Sequence, residues 1–391
     1  MTGKGWIRGR RGRASLVALT AVAGAALLLR WTLAAGAAPG EDPRAFVEQH
    51  FQQRVAALVS LAPDRLPAAE IDTSTAAGRW LMERERQKIL HLRDWLRARG
   101  FELVGHRAEV RILRLRVQGD SARAGVVLRR GLGDRQAGAP AAPVTWMGVG
   151  TSHAVELVWG EGGWRVRSDH GLDPLYEDGP PPEAGLPPLT RSPAVASPGE
   201  APAAADPSAL AGAGRSGAGR FDREAAARYA DTYCGVAWGC GNGHRYNRQY
   251  RDYTGLGGDC ANFASQVLAA GGLRPTGAWR YDARRREATT TWINAGSLAR
   301  YLIQSGRGQL VARGSFARVA EAAGGPGLPA LAPGDIIAYE QGGDVVHVSV
   351  VVGQGAGGYA VVSSHTADRY RVPWDLGWGE KTRFWVIRIR G

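Results

Sequence analysis

The chain has 391 residues, 44% of them apolar and 22% charged, and carries a net charge of +13. This is the composition of globular protein, with room for two folded domains and connecting segments, and it excludes a wholly disordered chain. Lys occurs only at positions 4, 88 and 381, so nearly all the basic charge is Arg, and no run of five or six like charges marks a nucleic-acid-binding tail.

Residues 1–40 read as an export signal. Lys4, Arg8, Arg10, Arg11 and Arg13 form a basic start, an apolar run follows from Ala14 to Leu29, and Ala34 to Ala38 offer small residues for cleavage. Arg30 cuts the run short of the roughly 20 residues a membrane-spanning helix needs. A retained anchor continuing through Trp31 and Leu33 is the alternative. Either way the expected location is extracytoplasmic, secreted or anchored in the cell envelope.

Residues 41–175 begin with two helical patterns. Phe46, Val47, Phe51, Val55 and Leu58 recur at helical spacing between Pro43 and Leu61. Trp80, Leu81, Ile89, Leu92, Trp95 and Leu96 do so between Thr75 and Arg99, and Gly100 is a stop. The period then changes to two: Val110, Ile112, Leu115 and Val117 alternate with arginines, with one slip at Leu113. Further strand-like runs lead to a turn at Gly160–Gly163. Helices followed by an antiparallel meander predict a small α+β domain. It resembles the helix-plus-curved-sheet domains of the nuclear-transport-factor-2-like (NTF2-like) superfamily, which host many functions, so its role is not legible. His50, His91, His106, His153 and His170 form no recognisable ligand cluster. Residues 176–220 are rich in Pro, Ala and Gly and read as a linker.

The second domain spans residues 221–391. Asp222 is placed to cap a helix running to Tyr233. A helix beginning at Cys260 ends at Gly271-Gly272, and another spans Asn294–Gln304. Strands are predicted at Asp335–Glu340, Val345–Gly353, Tyr359–Ser364 and Arg383–Arg390, joined by Gly-rich turns.

Cys260 is the candidate nucleophile. At the start of a helix, unpaired backbone N–H groups and the helix dipole favour a thiolate and can hold an oxyanion. His347, alone in an aliphatic strand, is the expected general base, and His365, ending the next strand, the group that orients it. The plain alternatives are a buried packing cysteine, a core histidine and a loop histidine. Asp259, Asn262 and Gln266 are candidates for substrate or oxyanion contacts, with Asp259 also readable as a helix cap. Cys234 and Cys240 are close enough in sequence to close a disulfide loop, which leaves Cys260 the odd thiol; three unrelated thiols is the other reading. No metal site is expected, because Cys-x-x-Cys spacing is absent.

The segment Asp259-Cys260-Ala261-Asn262-Phe263-Ala264-Ser265-Gln266 resembles the Asp-Cys-Thr-Asn-Phe-Val-Ser-Gln signature of the bacterial putative amidase domain family, with Ala261 where Thr is usual. Gly271-Gly272, Trp279 with Tyr281, Thr291-Trp292 with Asn294, Pro333-Gly334-Asp335, His347-Val348-Ser349-Val350 and Ser364-His365-Thr366 extend the similarity across 221–391. The resemblance implies a papain-like fold related to NlpC-type cysteine hydrolases, hydrolysis of an amide through a thioacyl-enzyme, and no cofactor. With export, it implies peptidoglycan or other envelope peptides as substrate, and no nucleic-acid partner. A catalytically silent envelope-binding or scaffold module and an acyltransferase or transglutaminase-type enzyme are the alternatives on the same fold.

Overall fold

The computed structural model describes residues 41–176, 220–256 and 258–390. The proposed export segment, almost all of the predicted linker, and Gly257 lie outside them. No helix among the described residues is long and apolar enough to cross a membrane.

The N-terminal half opens with α1 (Pro43–Val59) and α2 (Ala76–Arg99). Asp42 caps α1 by accepting from Arg44 N–H, Thr75 caps α2 by accepting from Gly78 N–H, and Gly100 ends α2 in the left-handed conformation at φ 69°. Four antiparallel strands follow: β1 (Phe101–Gln118), β2 (Ser121–Gln136), β3 (Thr145–Gly160) and β4 (Gly163–His170). The slip in the alternation at Leu113 is a β-bulge, seen as a register shift between Ile112 and Arg114.

The C-terminal half carries α3 (Arg223–Tyr233), α4 (Cys260–Ala270), the short α5 (Thr290–Ile293), α6 (Ala295–Gln304) and α7 (Phe316–Ala322). Asp222 and Asn294 cap α3 and α6 through their side chains. Its strands are the small hairpin β5 (Tyr281–Asp282) and β6 (Glu287–Ala288), then β7 (Gly308–Gly314), β8 (Ile336–Gln341), β9 (Asp344–Gln354), β10 (Ala360–Ser364), β11 (Asp368–Pro373) and β12 (Arg383–Ile389). The predicted mixture of helices and antiparallel sheet is present. β7 and β11 were not anticipated.

The two halves share one sheet, in the order β1-β2-β3-β11-β10-β9-β8-β12-β7, with β4 on β3. The join is antiparallel, Asp368 to Gly150, Arg369 to Val149 and Tyr370 to Gly148. They also share a core: Leu92, Trp95 and Val149 pack in one cluster with Tyr339, Val351, Val362 and Trp374. A second core, on the other face of β8–β10, takes α4 and α6 through Phe263, Val267, Leu298 and Leu302 against Val348 and Val350. Successive side chains alternate between faces, so β9 sends Val348 and Val350 to the α4 core and Val351 to the shared one.

A disulfide joins Cys234 to Cys240. The loop it closes lies on a glycine platform of the N-terminal sheet. A Cβ at Gly131 would collide with the Trp238 ring, at Gly148 with the Trp238 carbonyl and at Gly150 with the Val236 carbonyl. Only glycine admits so close an approach of backbone to backbone.

Candidate active site

Cys260 is the first residue of α4 and the free cysteine, buried at 7% exposure. Burial pushes its thiol up to about 11; backbone N–H groups of Val348, Ala261 and Cys260 itself work against this, and the charge of Asp259 adds to it. The buried thiol is therefore un-ionised, although it lies among backbone donors that favour a thiolate.

Asp259 holds the N-cap position of α4, but its side chain makes no capping bond. Oδ1 instead accepts from Tyr253 N–H at 2.8 Å and Asn262 Nδ2 at 2.8 Å, and Oδ2 accepts from His365 Nδ1 at 2.6 Å. The other ring nitrogen of His365, Nε2, is 2.6 Å from the Tyr233 carbonyl. Carboxylate and carbonyl both only accept, so both nitrogens donate and the ring is an imidazolium. Burial opposes that charge, but the hydrogen bond and charge of Asp259 outweigh it and raise the pKa of His365 above its ordinary value. The ring is fixed on both faces, stacked on Tyr246 at 3.9 Å and on Phe263 at 4.2 Å. Tyr246 donates to Asp368 Oδ1 at 2.8 Å, and Val236 N–H donates to Oδ2 at 2.7 Å. Burial lifts the Asp368 carboxyl to about 6.

His347 lies elsewhere. Its ring is 5.6 Å from that of Tyr339 and 5.7 Å from that of Trp378, both members of the shared core on the far side of β9 from α4. Nε2 accepts from Arg369 at 3.3 Å. Burial, then the charge of Arg369, hold its pKa well below the ordinary value, so the ring is neutral. Among the described residues no hydrogen bond links Cys260 to either histidine, and none links the two histidines. The expected orienting contact of His365 on His347 is not made, and the register explains why. β9 and β10 pair Val351 with Val362 and Val350 with Ser363. Extending that pairing sets His365 opposite Val348, one residue from His347, and a one-residue offset puts two side chains on opposite faces.

Asn262 and Gln266 do not face an open cleft. Asn262 donates to Arg251 O at 3.0 Å and to Asp259, and its Oδ1 accepts from Trp292 Nε1 at 3.0 Å. Gln266 Oε1 accepts from Tyr229 OH at 2.8 Å, about two turns along the helix from the thiol. Ser265 accepts from Trp279 Nε1 at 2.9 Å and donates to Trp292 O at 2.9 Å. The polar residues of the signature thus build a scaffold with the two downstream tryptophans, which stack at 4.9 Å. Residues that the sequence reading passed over are Tyr246, Asp368 and Arg369. The only sequence signal for Asp368 and Arg369 is their proximity to His365. No cluster of His, Cys, Asp and Glu among the described residues has the makings of a metal site.

Residues 220–388 match the model of a family described as a putative amidase domain. The chain is 27% identical over 158 residues to the uncharacterized protein YhbB of Bacillus subtilis (strain 168). That similarity covers 38% of this chain and 42% of the relative, less than half of either. No solved structure matches the chain. The C-terminal half, by this match, is similar to the putative amidase domain and, at that level, to an amidase-type hydrolase.

Proposed function

We propose that the C-terminal half is a cysteine-dependent amidase in which Cys260 is the nucleophile and His365, oriented by Asp259, the acid–base group. The observation that carries this is the Asp259–His365 pair at 2.6 Å, directly beside a cysteine that opens a helix. The Cys260 thiol first gives its proton to solvent; the thiolate attacks the amide carbonyl carbon, and the C–N bond breaks as the His365 imidazolium, its Nε2–H turned from the Tyr233 carbonyl, hands that proton to the departing amine. Water then adds to the thioester, giving its proton to the neutral imidazole, and the carboxylic acid leaves as the thiolate and the imidazolium are restored. In this reading His347, the base expected from the sequence, helps hold the sheet instead. Envelope peptides, peptidoglycan stems or cross-bridges among them, are the proposed substrates. This rests on the family likeness together with the export pattern of residues 1–40.

The test is digestion of purified peptidoglycan by the whole chain and by its Cys260→Ala, His365→Ala and His347→Ala forms. Fragment release is expected from the parent chain and from His347→Ala, and none from the other two. Equal release by Cys260→Ala defeats the nucleophile assignment, and loss confined to His347→Ala among the histidine variants returns the base role to that residue. A second reading, a catalytically silent envelope-binding module, is favoured by one feature: Cys260 is 7% exposed, with its thiol pushed up to about 11. Iodoacetamide labelling of Cys260 no faster than that of a free thiol at neutral pH would support it.

A further inference from the structure

The sequence shows 41–220 as nearly neutral, yet the fold sorts its charges by face. The acids Glu85, Asp169 and Asp173 are buried with Arg54, Lys88 and Arg130 in ion pairs of 2.7–2.9 Å on the helix-covered side. The opposite side of β1–β3, where the Cys234–Cys240 loop rests on Gly131, Gly148 and Gly150, carries no helix among the described residues and is rich in arginine along β1. Ala108, Val110, Ile112 and Leu115 of β1 pack toward the core beneath α1 and α2, so Arg107, Arg111, Arg114 and Arg116 take the outer face. The bulge at Leu113 keeps the last two in step with the first two. Across the ladder, Glu109 is opposite Arg129 and Arg116 opposite Arg123.

The acids on this face are already taken. Arg129 holds Glu109 at 2.7 Å and Arg123 holds Glu156 at 3.0 Å. Arg107 lies over the Trp146 ring at 5.5 Å. Arg111, Arg114 and Arg116 are exposed and have no ion-pair partner among the described residues. They form a line along the edge strand of the sheet, with alternate side chains about 7 Å apart.

We propose that the outer face of β1–β3 is a binding surface for a linear polymer of repeating phosphate, laid along β1 and gripped by Arg111, Arg114 and Arg116, with Arg107 and Arg123 at its margin. Three features select this occupant. The sites are arginines, whose planar fork suits phosphate oxygens. They lie in a row rather than in a pocket, which suits a repeating charge and not a single small anion. And among the described residues no aromatic side chain is fully exposed, as one would be on a face built to enter a lipid surface. The surface is independent of the hydrolase reading.

The experiment measures binding of the whole chain to fluorescein-labelled inorganic polyphosphate by anisotropy over a salt series. Poly-glutamate and phosphatidylglycerol vesicles serve as rival probes. Polyphosphate is expected to bind, with affinity falling steeply as salt rises. The triple variant Arg111→Gln/Arg114→Gln/Arg116→Gln is expected to lose roughly tenfold or more at low salt, with the slope of log affinity against log salt shallower by about 2. Its melting temperature should match the parent, because the three side chains are exposed. Undiminished binding by the triple variant, equal or tighter binding of poly-glutamate, or binding to vesicles without binding to polyphosphate would each overturn the proposal.

Discussion

Arg369 donates to His347 Nε2 at 3.3 Å and, with its other terminal nitrogen, to the Pro174 carbonyl at 3.2 Å. One side chain so ties the strand-borne histidine of the C-terminal half to the last turn of the N-terminal half. Pro174 is itself held in place by its neighbour Asp173, gripped by Lys88 and Arg130 at 2.9 Å each. Both His347 and Arg369 are fully enclosed, at 5% and 1% exposure.

The first prediction concerns that contact. The positive charge of Arg369 disfavours protonation of His347, so Arg369→Gln should raise the pKa of His347, though not to its ordinary value, since burial is the larger cause and remains. The Pro174 carbonyl also loses a charged donor, which should cost about 1–3 kcal/mol of stability. NMR titration of the His347 ring and urea denaturation read the two effects. An unchanged His347 titration would mean that burial alone sets its protonation.

The second concerns pH. His365 has a folded pKa above its unfolded value. Its contribution to stability is therefore fully present below about pH 6.5 and is lost as pH rises through the folded pKa. His365→Gln removes it, so the stability gap between parent and variant should be largest near pH 5.5 and shrink toward pH 8.5. His347, depressed in the fold, acts with the opposite sign, since it opposes folding only as pH falls below about 6.5. Comparing each variant with the parent separates the two. Asp368, lifted to about 6, has the sign of His365, and its contribution should be gone above that pH in Asp368→Asn comparisons. A parent–His365→Gln gap that widens with pH would contradict the imidazolium assignment.

How far these relationships were legible in the sequence depends on their range. The helix start at Cys260 and the bulge at Leu113 are local, and the residue pattern carries both. The faces of His347 and His365 are not local. They follow from the register of β9 on β10, and a one-residue slip would exchange them without changing any local pattern. Asp259 reads as a cap because Asp often is one, and only the fold shows its carboxylate turned to His365. β11 escaped notice because Asp368, Arg369 and Arg371 break its alternation, although two of the three are buried. The joined sheet was the least legible feature, since its partners are more than 200 residues apart.

The third prediction separates scaffold from catalysis within the signature. Asn262→Ala leaves the Arg251 carbonyl, the Asp259 carboxylate and the Trp292 indole N–H each short of a buried partner. The expected loss is about 3 kcal/mol or more, against about 1 kcal/mol for Gln266→Ala, which strips one hydrogen bond from Tyr229. Urea denaturation measures both. A stable Asn262→Ala chain that had lost only its hydrolytic activity would instead make Asn262 a transition-state donor.

The fourth prediction follows from the shared sheet and core. Two halves joined by a β3–β11 ladder and one hydrophobic cluster should unfold together. Gly148→Val tests the join directly, because Gly148 pairs with Tyr370 in the β3–β11 ladder and its Cβ would strike the Trp238 carbonyl of the disulfide loop. Overpacking of this kind costs about 1–3 kcal/mol where neighbours can give. Here the obstacle is backbone, held by the Cys234–Cys240 bond, so the cost should reach the upper end of that range. Because the loop supplies the Val236 N–H to Asp368 and begins next to Tyr233, whose carbonyl accepts from His365, the substitution should also lower the His365 pKa. Calorimetry showing one transition in parent and variant, with His365 titrating lower in the variant, is the expected pair of results. Two separate transitions in the parent would mean that the sheet does not couple the halves.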